Sequence, residues 1–105
     1  MTDQLPELDP VIHAQARLRV VVALSTLCEG DRLAFPRLQE IVGMTAGNLS
    51  VHLRKLETAG YVEVNKTFSG RTPTTLVCLS GRGRLAFNEY TAAVRAMLPS
   101  PSEVE

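Results

Sequence analysis

Net charge, long apolar runs and cysteine are what this chain has least of. Its eleven Lys and Arg are matched by eleven Asp and Glu, for a formal charge of zero. Taken alone, that balance argues against a polyanionic partner such as nucleic acid. No stretch approaches the about 18 consecutive apolar residues of a membrane-spanning helix, so no membrane span is expected. The segment from Met1 to Glu7 is acidic and lacks a basic, apolar leader, which predicts no secretory signal and, by default, a cytoplasmic location. The only two cysteines, Cys28 and Cys78, are far apart, with no CxxC pair and no histidine partners. They fit no metal site and behave as small apolar side chains of a reducing compartment, a thiol sensor being the alternative.

Catalytic patterns are missing too. Ser50 and His52 stand two apart on a predicted helix and point in different directions, so they form no dyad. There is no phosphate-cradling glycine loop and no recognisable pair of carboxylates, so neither an enzyme nor a cofactor or metal is expected. No internal repeat or low-complexity segment interrupts the 105 residues, which predict one domain with a small core.

What the chain does have is concentrated in TAGNLSVHLRKLETAGYV, residues 45–62. Leu49, Leu53 and Leu56 recur at i, i+4 and i+7, one apolar stripe of a helix. At 100° per residue, the opposite side carries Gly47, Asn48, Val51, Arg54, Lys55 and Thr58. Thr45 suits the N-cap and Gly60 the position just past the C-cap. A short helix with a small, polar and basic outer face is the shape that reads a DNA major groove. Behind it, residues 61–67 alternate as a half-buried strand, 68–75 are turn-rich and carry Arg71, and 76–79 read as a second strand. Helix, strand, basic loop and strand make a wing beside a helix-turn-helix.

These residues, with Gly70-Arg71-Thr72-Pro73 in the wing and Leu79-Ser80-Gly81-Arg82-Gly83 after it, carry a resemblance to a known family. The chain resembles the small winged-helix transcriptional regulators akin to the MarR and ArsR families, in their minimal one-domain form. The likeness spans residues 9–98 and implies sequence-specific binding of double-stranded DNA as a homodimer. One departure is Val51, where relatives often carry Arg or another polar residue; its methyls suit a thymine methyl instead. The distribution of charge agrees with the resemblance. Residues 1–31 sum to −3, residues 32–84 to +5 and residues 85–105 to −2, so the positive excess falls on the expected helix-turn-helix and wing.

The expected architecture is mainly α with a small β-hairpin, ordered helix, short strand, helix, helix, strand, wing, strand, helix. Asp9-Pro10 opens a first helix running to about Cys28, whose middle is apolar nearly all round. Residues 32–35 form a short extended piece able to pair with the hairpin. Pro36 starts a second helix with Leu38, Ile41 and Val42 inward, and Ser80 caps a last helix to about Leu98. The domain occupies residues 9–98, between a flexible segment over 1–8 and a disordered tail over 99–105. First and last helices carry more apolar area than one domain covers, which points to dimerisation through Val11, Ile12, Leu18, Val22, Phe87, Tyr90, Val94, Met97 and Leu98.

The expected DNA-binding residues are Thr45, Gly47, Asn48, Ser50, Val51, Arg54 and Lys55 on the third helix. Lys66, Ser69, Arg71, Thr72 and Thr74 join them in the wing, with Arg71 at its tip suited to the minor groove. Asn48 and Ser50 serve equally well as local caps of the first turn. His52, beside the buried stripe, reads as a boundary residue hydrogen-bonded within the fold. Two other functions stay open: a winged-helix module that binds protein rather than DNA, and a regulator that responds to a thiol reagent or to a small-molecule effector of unknown identity.

Overall fold

Apolar spacing and turn chemistry set out the elements, and one close approach locks them together. The computed structural model describes residues 7–99. In chain order they form α1 (Gln15–Ser25), β1 (Leu33–Ala34), α2 (Phe35–Val42), α3 (Ala46–Thr58), β2 (Val62–Ser69), β3 (Thr72–Leu79) and α4 (Gly81–Met97). This is the expected helix and strand order, a winged helix. No described helix is long and apolar enough to cross a membrane.

The core is a layer of α1, α2 and α3 against a three-stranded antiparallel sheet in the order β1-β3-β2. Val20, Val21 and Leu24 of α1, Leu38 and Val42 of α2, and Leu49, Leu53 and Leu56 of α3 meet Val62, Val77 and Leu79 of the sheet. The short strand pairs as expected, Leu33 with Val77 and Ala34 with Leu76. Ile41, expected inward, is instead 49% exposed. Leu38 and Val42, four apart, already fill the contact with α1, and Ile41 stands a quarter-turn aside from Val42.

The first helix is shorter than expected. Residues before it form a separate turn in which Asp9 accepts from the Val11 N–H at 2.8 Å and the His13 N–H donates to the Asp9 carbonyl at 2.7 Å. Ala14 is extended, with φ −140° and ψ 126°, and α1 starts only after it. The break has a packing cause. Ile12 must reach a second apolar cluster with Ala86 and Tyr90 of α4, whereas Val20, Val21 and Leu24 face the main core. One straight helix cannot present both sets to both places. Leu8 also rests on this second cluster, so the described part of the expected flexible segment is packed. The remainder, 1–6, and the tail over 100–105 lie outside the described residues.

The hairpin is longer than its composition suggests. β2 and β3 stay in register out to Ser69 opposite Thr72, closed by Gly70 and Arg71 alone. Gly70 takes φ 67° and Arg71 keeps a negative φ, which fits a tight primed turn with glycine in the first central position. Pro73 is tolerated within β3 because β1 pairs only with Leu76 and Val77, leaving the outer edge open at Pro73.

Two corners of the chain touch at the base of the wing. α3 ends in a Schellman motif, the Tyr61 N–H donating to the Leu56 carbonyl and the Gly60 N–H to that of Glu57, both at 2.9 Å. Ser80 then closes α4 onto this corner: its N–H donates to the Tyr61 carbonyl at 3.0 Å, its hydroxyl donates to the Gly60 carbonyl at 2.6 Å, and it accepts from the Gly83 N–H at 2.9 Å. Gly83 lies so near that a Cβ there would stand 2.0 Å from the Tyr61 carbonyl oxygen. Gly81 has open space around it. Gly83→Ala is therefore expected to destabilise the fold by about 3 kcal/mol in urea unfolding, because backbone must shift. Gly81→Ala is expected to be neutral or slightly stabilising; equal effects would mean that the close approach carries no load.

Candidate nucleic-acid interface

The buried leucine stripe of α3 fixes what its other side presents. With Leu49 and Leu56 fully buried and Leu53 4% exposed, the side chains of Asn48, Ser50, Val51, Arg54 and Lys55 are turned outward, and Gly47 leaves a low spot among them. The cap is Thr45, whose hydroxyl accepts from the Asn48 N–H at 3.1 Å. That releases Asn48 and Ser50 from the alternative capping role. Val51 is 54% exposed and sits in the middle of this face.

The hairpin register assigns each wing residue to a side. Val62, Val64, Lys66 and Phe68 share one face of β2, and their partners Leu79, Val77, Thr75 and Pro73 share it on β3. This is the face turned toward α3. Phe35, Ser50, Leu53, Arg54, Glu57, Val64, Lys66 and Thr75 line a groove of about 380 Å³ between helix and hairpin. Lys66 thus stands across the groove from Arg54 and Ser50. Arg71 is exposed at the tip. Ser69, Thr72 and Thr74 belong to the opposite face; the Thr74 hydroxyl donates to the Thr72 carbonyl at 3.4 Å. Of the expected wing residues, Lys66 therefore joins α3, Arg71 stands at the tip, and the three hydroxyl residues lie on the other face.

Charge supports the same side. Among the described residues one ion pair forms, the exposed Arg37 with Glu40 at 3.1 Å. Arg54, Lys55, Lys66 and Arg71 are thus left to other partners. Arg17, which sequence reasoning passed over, adds to them: with Pro10, Val11, Arg54, Lys55 and Thr58 it lines a shallow depression behind α3. Its Nε donates to the Val11 carbonyl at 2.7 Å, and so the initial turn holds a cation beside the helix. Only long-range contact brings Arg17 there, and local spacing carried no sign of it. Phe68 and Pro73 were also missed, although Phe68 has the same parity as Val64 and Lys66.

His52 differs from expectation. It is half-buried, but among the described residues its Nδ1 is buried without a hydrogen-bond partner. Burial, then the charges of Arg17 and Lys55, hold its pKa below the usual histidine value. Cys28 is exposed and Cys78 buried. Burial and the Glu63 carboxylate push the Cys78 thiol upward, away from reactivity. The described residues hold no cluster of three or more side chains suited to a metal.

On the expected dimer surface, Leu18, Val22, Phe87 and Val94 line an open apolar groove between α1 and α4. Met97 and Leu98 are 41% and 61% exposed at its end. Ile12 is 0% exposed inside a single chain, whereas Tyr90, 7% exposed, still reaches the lining of the groove. Tyr90 packs with Ile12 in the second cluster, and its hydroxyl lies 2.9 Å from His13 Nδ1. Val11 lies beside α3 rather than in the groove.

This geometry agrees with what the chain is similar to. A family model described as a winged helix DNA-binding domain matches residues 17–98. The uncharacterized protein MJ0432 of Methanocaldococcus jannaschii is 33% identical over 82 residues, 76% of this chain and 84% of that protein. Among solved structures, a transcriptional regulator homologue from Pyrococcus horikoshii OT3 superimposes with a TM-score of 0.74 at 25% identity, covering 83% of each chain. AbsC, a MarR family transcriptional regulator from Streptomyces coelicolor, gives 0.66 at 22% identity, covering 90% of this chain and 68% of its own. The chain therefore belongs to the winged helix DNA-binding domain family. Its fold is that of the MarR-type regulators, and its class is a DNA-binding transcriptional regulator.

The half-buried His52 imidazole gives a test of how the recognition helix packs. Because its folded pKa is lowered, the unfolded chain binds more protons, so His52 contributes stability in full above about pH 6.5 and loses it as pH falls toward the folded value. Melting temperatures from pH 7.5 to 5 are expected to fall more steeply for the wild type than for His52→Leu. Parallel curves would place His52 in water.

Proposed function

We propose that the chain is a homodimeric repressor that reads a pseudo-palindromic duplex site. The observation that carries this reading is the groove in which Ser50 and Arg54 of α3 face Lys66 of the wing, with Arg71 exposed at the wing tip. In this reading Asn48, Ser50, Val51 and Lys55 lie in the major groove over Gly47, where the missing side chain lets the backbone approach. Thr45 and Arg54 hold phosphates at the groove edge, and Arg71 enters the neighbouring minor groove, with Ser69, Thr72 and Thr74 touching phosphate around the tip. Two copies joined along Leu18, Val22, Phe87, Val94, Met97 and Leu98 set their recognition helices about 10 bp apart, centre to centre. A dimer seated over two successive turns excludes other proteins from that duplex, which is repression by occupancy.

A salt titration of binding to a selected duplex tests the contacts. Arg54→Ala, Lys66→Ala and Arg71→Ala are each expected to weaken binding to all sequences and to reduce the slope of log K against log salt by about one. An unchanged slope removes that residue from the phosphate contacts. Asn48→Ala is expected to change the preferred sequence instead. For assembly, Val22→Glu and Val94→Glu are expected to give monomers in sedimentation and to lose most of the affinity for a two-half-site duplex. Dimers in both variants would move the subunit contact elsewhere.

A further inference from the structure

The chain has three phenylalanines. Phe35 and Phe87 pack against the main core, whereas Phe68 is 68% exposed, the barest of the large apolar side chains described. Its position is specific. On the α3-facing side of the hairpin, the rows run outward from Val64 with Val77 in the core, through Lys66 with Thr75 at the groove, to Phe68 with Pro73 beyond it. Apolar character resumes there with nothing of the domain beneath. Pro73, exposed and lacking an N–H, is stiff and apolar where it opposes the ring. Lys66 stands two residues behind Phe68, and Arg71 lies just past it at the turn.

We propose that the wing tip is an apolar wedge for the DNA minor groove, with Phe68 as the blade, Pro73 as its backing and Arg71 as the cation that follows it in. The inference rests on the DNA-binding reading above. A bare aromatic between cations, on the side that carries Arg54 and Lys55, suits a polyanion with apolar walls. The minor groove is lined by deoxyribose and opens onto stacked bases between phosphates. Phenylalanine and proline inserted at a base step unstack it and bend the duplex toward the major groove, by about 20–90°. Such a bend would bring the flanking phosphates onto Lys66 and would select flexible pyrimidine–purine steps that no side chain reads directly.

The test is the end-to-end distance by energy transfer in a doubly labelled 30-base-pair duplex selected from a random pool by the full-length protein. The wild type is expected to bend the duplex. Phe68→Ala should lose more than half of that bend, bind about tenfold more weakly, and melt with the wild type. Phe68→Trp should keep the bend, and Arg71→Ala should lose affinity and salt slope while keeping it. A straight wild-type complex, or a Phe68→Ala complex bent like the wild type, overturns the wedge and leaves the DNA reading standing; the latter is also the result if Phe68 meets another protein. Failure of the wild type to select any duplex overturns both.

Discussion

The winged helix depends on the contact between the corner after α3 and the corner before α4. Tyr61 is at the centre of it. Its N–H closes α3, its carbonyl takes the Ser80 N–H, and the first turn of α4 passes directly over that carbonyl because residue 83 has no side chain. Its ring touches both apolar clusters, and its hydroxyl donates to Asp9 at 2.5 Å. The hydrogen bond to the carboxylate holds the phenol protonated, raising its pKa, with burial adding to the effect. A hairpin springs from this corner at both ends, β2 leaving after Tyr61 and β3 returning just before Ser80. Clamping the base therefore aims the whole wing relative to the recognition helix. A misplacement of the base would be magnified along eight residues of strand, each adding about 3.3 Å.

The same economy explains the surface left over. α1 and α4 each divide their apolar residues between the interior and the outside. Val20, Val21 and Leu24 go inward from α1, Ala86 and Tyr90 from α4, and Leu18, Val22, Phe87 and Val94 stay along one open groove. A domain of this size buries only about 65% of its unfolded surface, so covering that groove with a second copy adds stability the single chain lacks. With Ile12 committed to the interior and Tyr90 only 7% exposed, the apolar surface left outside is narrower than the apolar content of the two helices suggests. It also lies apart from α3, so a subunit docked there leaves the polar face open.

Much of this was legible in the sequence where local rules and tertiary structure agree. The recognition helix announced itself by a capping threonine, a leucine stripe and a terminal glycine, and all three act as read. The pairing of residues 33–34 and the Ser80 cap were equally local. What escaped was decided by distant partners. The break at Ala14 follows from where Ile12 has to go, and Asp9-Pro10 alone reads as a helix start. Glycine is a poor helix former and nothing local explains Gly83 in the first turn of α4, yet its absent Cβ is the condition for the corner. The segment 68–75 is rich in turn formers, but a single glycine at position 70 turns the chain, and threonines beside an open edge extend both strands. On the candidate site, helix residues were read correctly as outward, while the side of the hairpin on which each hydroxyl falls needed the register.

Zero net charge and a polyanionic ligand are compatible because charge acts locally. At physiological ionic strength the screening length is about 8 Å, so a phosphate would respond mainly to the charges nearest it. On the proposed reading, a phosphate on α3 would meet Arg54 and Lys55 on the helix, Lys66 across the groove, and Glu57 as the acidic member of the lining. A chain with a large uniform positive charge would adhere to any duplex by counterion release, raising affinity for right and wrong sites alike. Gathering a few cations beside α3 while the chain as a whole stays neutral lowers the non-specific share. Discrimination would then be left to short-range groups, which on the proposed reading are Asn48, Ser50 and Val51 of the helix, since edges and methyls are read only in contact.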